Sequence, residues 1–152
     1  MLRFTARFVA VVFVCVPLAL QLVPYRVQNP LVTQEPEWDS PQTRAIAQRA
    51  CFDCHSNETS APWYAQVAPV AWIVRSHVEQ AREKLNLSEM DRPHNEAGGA
   101  AQKVRKGQMP PSWYVALHPE AELTPDERHA LTVGLEATFD ERDVAVADAT
   151  AR

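Results

Sequence analysis

Cys51-Phe52-Asp53-Cys54-His55 is the stretch on which the reading of this chain turns. Two thiols separated by two residues can each add to one vinyl group at a porphyrin edge, and the imidazole next to them can reach the iron from one face. The motif therefore reads as an attachment site for one covalently bound haem c, with Cys51 and Cys54 as thioether anchors and His55 as the proximal iron ligand. Two alternatives fit less well. A zinc site needs four ligands, and the remaining cysteine, Cys15, lies in an apolar segment. A thioredoxin-like redox pair follows a β-strand, whereas the residues before Cys51 read as helix.

In bacteria such attachment takes place outside the cytoplasm, and the N-terminus fits export. Arg3 and Arg7 precede an almost unbroken apolar run from Phe8 to Val23, a charged region followed by a hydrophobic one. As a helix rising about 1.5 Å per residue the run covers roughly 24 Å, short of the ~30 Å hydrocarbon core unless Leu2, Phe4 and Tyr25 extend it. No A-x-A-like cleavage site follows in Gln21-Leu22-Val23-Pro24-Tyr25. Residues 1–25 therefore read as an uncleaved signal anchor in preference to a cleaved signal peptide. Arg3 and Arg7 stay inside, and the rest faces the periplasmic side of the inner membrane. Residues 26–39, interrupted by Pro30 and Pro36, read as an extended linker.

Beyond the anchor, about 125 residues suffice for one domain with one core. A net charge of −4, from 19 acidic and 15 basic residues, leaves no basic stripe for nucleic acid. Twelve prolines against four glycines favour short helices with defined stops. Ser40-Pro41 opens the first of these: serine caps the free amides, proline is pre-set for the first turn, and the helix runs to about Ala50. A second begins near Pro69 and runs to about Leu85. Val70, Ile73, Val74, His77, Val78, Ala81 and Leu85 form its apolar stripe, spaced as a buried face. A weaker third spans Asn95 to Lys106, with Gly107 placed to end it. Thr124-Pro125-Asp126-Glu127 combines a capping box with proline at the first helical position, and Leu131, Leu135 and Phe139 follow at helical spacing. No segment alternates as a strand, so residues 40–140 are expected to form a small, all-α, cytochrome c-like domain around the haem. Residues 141–152 read as a disordered tail.

The second axial ligand decides the chemistry. In Lys106-Gly107-Gln108-Met109-Pro110-Pro111 a glycine breaks the helix, and two prolines hold the chain extended after the methionine. A thioether on such a loop can meet iron from the face opposite His55; Met109 could equally fill a gap in a core. His77, on the apolar face of the second helix, is a rival ligand. His94 and His118 lie beside prolines in loops, and His129 lies on the polar side of the last helix. The aromatic residues Trp63, Tyr64, Trp72, Trp113 and Tyr114 cluster after the motif, on the second helix and after the methionine loop. They are candidates for the haem pocket, where Trp and Tyr could also donate to a propionate. Core packing alone would use them as well. Asn57-Glu58-Thr59 matches a glycosylation acceptor but reads as a turn whose side chains bond the backbone.

Several segments together resemble the bacterial haem-binding domain family, whose members are single-haem c-type proteins with an N-terminal tether. The resemblance covers about residues 45 to 137. It is carried by Cys51-Phe52-Asp53-Cys54-His55-Ser56-Asn57-Glu58-Thr59, Pro62-Trp63-Tyr64, Ala68-Pro69-Val70-Ala71-Trp72, Leu85-Asn86-Leu87-Ser88, Gly107-Gln108-Met109-Pro110-Pro111 and Leu117-His118-Pro119-Glu120-Ala121. It implies covalent haem on Cys51 and Cys54 and ligation by His55. The Gly-x-Met-Pro stretch is also similar to the methionine loop of small soluble cytochromes c, which implies a distal ligand role for Met109. One departure is Met90, near where the family tends to carry a tryptophan; it adds a remote rival ligand.

These readings lead to a membrane-tethered periplasmic haem protein that passes single electrons to a redox partner protein through a His55/Met109-ligated iron. The alternative is a haem-based sensor or ligand-binding module with an open or displaceable sixth site. A peroxidase-like enzyme would need a distal acid–base group; His77 could serve, but nothing else supports turnover, so no enzymatic activity is expected.

Overall fold

The computed structural model describes residues 2–94 and 96–139. Among them the regular structure is helical: α1 (Leu2–Leu20), α2 (Pro41–Ala50), α3 (Phe52–His55), α4 (Val70–Lys84), α5 (Ala100–Arg105), α6 (Ser112–Val115) and α7 (Pro125–Thr138). Single 3-10 turns lie at Trp63–Gln66, Ala97–Gly99 and Pro119–Ala121. The expected disordered tail, 141–152, and the expected start of the third helix at Asn95 lie outside the described residues.

The chain divides into two compact units: Met1–Gln28 with Ala61–His77, and Asn29–Ser60 with Val78–Arg152. The second unit contains the motif, and its helices start and stop where local chemistry dictates. Ser40 caps α2 by accepting from the Thr43 amide, with Pro41 in the first turn. Thr124 and Glu127 form a reciprocal capping box at the start of α7: the Glu127 amide donates to Thr124 Oγ1 at 3.2 Å and the Thr124 amide to Glu127 Oε2 at 3.0 Å. The weak third helix shortens to a 3-10 turn and α5. It ends on Gly107 at φ +67°, where the Gly107 amide donates to Val104 O and the Gln108 amide to Lys103 O. This is the paired bonding of a Schellman stop, which needs a left-handed residue and so favours glycine.

α7 packs on both α2 and α5. Where it meets α2, a Cβ on Gly134 would lie 2.7 Å from Thr43 Cγ2, so the approach requires glycine. The core is built around Leu131, which is fully enclosed, with Ile46, Ala47, Phe52, Leu87, Val104 and Leu135 about it. Residues 29–39 are extended, as their prolines suggest, but they are bonded along this unit rather than hanging free as a linker. The Thr33 amide donates to Ser88 O at 2.9 Å and the Met90 amide to Gln34 O at 2.9 Å. Glu35 takes a two-point ion pair from Arg44, each contact 2.8 Å, and Trp38 stacks on Phe52 at 6.3 Å.

In the first unit, Gln21 bonds both backbone groups of Ala68, accepting from its amide at 3.1 Å and donating to its carbonyl at 3.2 Å. The Arg75 guanidinium lies over the Tyr25 ring at 4.0 Å. Ala65, Ala68 and Ala71 are buried. The apolar stripe expected of the second helix needs correction: Val78 and Leu85 are buried, but Ile73 is 55% exposed and Val70 and His77 are exposed too. Helical spacing tells which residues share a face; what covers that face depends on elements distant in sequence. Among the described residues no helix is long and apolar enough to cross a membrane.

Candidate functional site

The motif occupies one tight turn. Cys51 precedes α3, and its carbonyl accepts from the Cys54 amide at 3.1 Å and the His55 amide at 2.8 Å. The two thiols are thus three residues apart on one side of a helical turn, half-buried and not joined to each other. Burial, with the neighbouring Cys54, pushes the Cys51 thiol up to about 12; burial, with Asp53, pushes Cys54 up to about 11. A redox Cys-x-x-Cys pair draws on a stabilised thiolate and follows a β-strand, whereas here burial works against the thiolate and helix α2 leads directly into Cys51. Among the described residues no group of three or more His, Cys, Asp or Glu able to hold a metal ion occurs.

His55 is held at both ends. Its Nδ1 lies 2.9 Å from Leu85 O, and its own carbonyl accepts from the Leu87 amide at 2.7 Å. A carbonyl can only accept, so Nδ1 carries the proton and Nε2 keeps its lone pair for a metal. Burial lowers the imidazole's pKa and favours the neutral, ligating form.

Behind this turn lies a buried polar cradle that joins three distant stretches. The Asn57 amide donates to Ser88 Oγ at 2.9 Å, and Asn57 Nδ2 donates to Leu31 O at 3.0 Å and Glu89 Oε1 at 2.9 Å. Asn86 Nδ2 donates to Asn57 Oδ1 at 2.9 Å, and the Ser88 amide to Asn86 Oδ1 at 3.0 Å. Arg82 Nε donates to Ser56 O at 2.8 Å and its Nη2 to Thr59 Oγ1 at 3.0 Å. From sequence, Asn57-Glu58-Thr59 reads only as a turn, and Leu85-Asn86-Leu87-Ser88 has no role beyond resemblance. The signal for the cradle is the recurrence of Asn and Ser, able to bond backbone groups, in both stretches.

The remaining candidates fall into two sets. Met109 is half-buried and packs against the same core cluster that Cys51 borders, as does Met90. Tyr114 donates its hydroxyl to Asp53 Oδ2 at 2.7 Å; burial first, and then this bond, raise the phenol's pKa. Trp113, 54% exposed, meets the Tyr114 ring edge-on at 6.1 Å. The other set belongs to the first unit: Trp63, 78% exposed, packs edge-on against Tyr64, and Trp72 buries an indole N–H that has no acceptor among the described residues. Of the histidines, His94 lies 3.0 Å through Nε2 from Glu89 O, to which it donates, and His118 stacks on Tyr114. His129 is exposed, as its place on the polar side of the last helix suggests.

Two neutral thiols and an oriented imidazole on one turn fit the edge and iron of a haem. A family model described as a haem-binding domain matches residues 15–137. No curated protein and no solved structure matches the chain.

Proposed function

The chain belongs to the haem-binding domain family, since the match runs over 15–137 and includes Cys51, Cys54, His55 and Met109, and from that membership we propose a one-electron carrier with covalent haem c. Cys51 and Cys54 anchor the group as thioethers, and His55 Nε2 is the proximal ligand. Met109 is the distal ligand. Haem, when bound, supplies a one-electron iron couple, whose potential a His/Met pair raises. The observation that carries the reading is the Leu85 O bond to His55 Nδ1, which fixes the tautomer and so puts the ring's lone pair on Nε2. Support for Met109 comes from its place beside the core cluster that Cys51 also borders and from the glycine-terminated helix that delivers it. The N-terminal segment tethers the domain on the periplasmic side of a bacterial membrane, where it exchanges electrons with a partner protein and has no enzymatic turnover.

Optical spectra of the purified holoprotein in both oxidation states, with and without carbon monoxide, test this. Met109→Ala should alter the ferric and ferrous spectra and make carbon monoxide binding fast. Unchanged spectra would remove Met109 as ligand. Exposure of Gly107 and Gln108 beside Met109 favours a second reading, a haem-based sensor with a displaceable sixth site. Fast carbon monoxide binding by the wild type would select it.

A further inference from the structure

Asp53, inside the Cys-x-x-Cys, has both carboxylate oxygens committed. Oδ1 accepts from the Ser60 amide at 2.8 Å and Oδ2 from Tyr114 OH at 2.7 Å, while its backbone carbonyl accepts from Thr59 Oγ1 at 2.9 Å. Tyr114 sits on α6, which starts directly after Met109-Pro110-Pro111; the Tyr114 amide donates to Pro111 O at 3.0 Å. Two prolines leave little backbone freedom between the sulfur and the phenol. The Tyr114 ring is itself placed, stacked on His118 at 4.3 Å. Farther along, Arg49 donates to Glu120 O at 2.5 Å and Glu122 O at 3.1 Å, so the segment stays docked at its far end without Tyr114.

We propose that Tyr114 is a positioning residue for Met109: its bond to Asp53 ties the methionine loop to the turn that carries the haem anchors and so limits how readily Met109 leaves the sixth site. The inference rests on the reading of Met109 as distal ligand. A hydrogen bond to a charged acceptor is among the stronger ones, and its loss shifts a local open–closed balance by about tenfold. The phenol does not touch the iron; it acts through the loop.

Carbon monoxide binding to the ferrous holoprotein is the measurement, applied to the wild type, Tyr114→Phe, Met109→Ala and the double variant. Tyr114→Phe should bind about tenfold faster than the wild type. Adding Tyr114→Phe to Met109→Ala should change nothing, because the group being released is gone. Asp53→Asn, which keeps an acceptor without its charge, should give an intermediate rate and carries the test should Tyr114→Phe fail to load haem. Wild-type rates in both Tyr114→Phe and Asp53→Asn, with Met109→Ala fast, would overturn the positioning role and leave the ligand reading intact. Equal acceleration by Tyr114→Phe in the Met109→Ala background would also overturn it, since the tyrosine would then govern access alone. A wild type already as fast as Met109→Ala would instead remove the ligand reading on which the inference rests.

Discussion

Around His55 the side chains of Ser56, Asn57, Asn86 and Ser88 are all buried and bonded. Around Met109 the loop hangs on amide bonds to Lys103 O, at 2.9 Å from Gln108 and 3.3 Å from Met109, with Gly107 and Gln108 in solvent. Buried polar networks are costly to leave half-made, so a satisfied one specifies a single geometry. Backbone bonds at an exposed helix end set a loop's path but compete with water. The surroundings of His55 are therefore the fixed part of the site and the Met109 loop the adjustable one. In the proposed haem complex, ligand exchange at iron would accordingly fall on the Met109 side.

Breaking the cradle should have the largest effect. Asn57→Ala removes three side-chain hydrogen bonds from a residue that is 3% exposed, and it strands the buried Asn86 Nδ2, while the partners at exposed Leu31 and half-buried Glu89 can turn to water. One unmade buried bond and two lost part-buried ones predict a loss of about 2 kcal/mol. Urea unfolding of the holoprotein should show a lower midpoint with an unchanged slope. On the other side of the comparison, Gly107→Ala tests how firmly the loop is set. The new Cβ would meet Arg128 Nη1 at 3.6 Å, an ordinary contact, so the cost is that of a left-handed alanine at φ +67°. That predicts a loss of about 1 kcal/mol, read by the same unfolding experiment. A cost for Gly107→Ala equal to that of Asn57→Ala would erase the distinction between the two sides.

Only part of this difference is legible in the sequence. Ser40-Pro41, Gly107 and Thr124-Pro125-Asp126-Glu127 announce helix ends through bonds made within a few residues, and those ends lie where the sequence places them. The motif announces its own chemistry. Its support does not, because Leu85 O, Ser88 Oγ and Leu31 O lie 26 to 31 residues from their partners and two of these acceptors are backbone carbonyls. No side-chain pattern marks which carbonyl will hold a histidine. The stripe of α4 misleads for a related reason: its periodicity is real, but the cover for Val70 and Ile73 is a tertiary matter. Tyr114 is legible as an aromatic near the site and illegible as the partner of Asp53, 61 residues away.

The smallest effect concerns the strap that closes the cradle. Residues 29–39 bring Leu31 O to Asn57, and Glu35 holds that strap to α2 through Arg44 and to its own Trp38 at 3.0 Å. The Arg44 guanidinium, opposed by partial burial and aided by Trp38, keeps the Glu35 carboxyl below its usual range. A depressed carboxylate pKa contributes stability that is complete above the unfolded-state value and is lost as pH falls through the folded-state value. Both partners are partly exposed, so the pair contributes only about 0.5 kcal/mol. Glu35→Gln should accordingly be about that much less stable than the wild type at neutral pH. The two unfolding curves should then converge below the carboxylate range, where the wild-type Glu35 is protonated as well. A gap that persisted in acid would mean that the Glu35 side chain holds the strap by its shape and neutral hydrogen bonds rather than by charge, placing the strap with the fixed cradle and not with its adjustable edge.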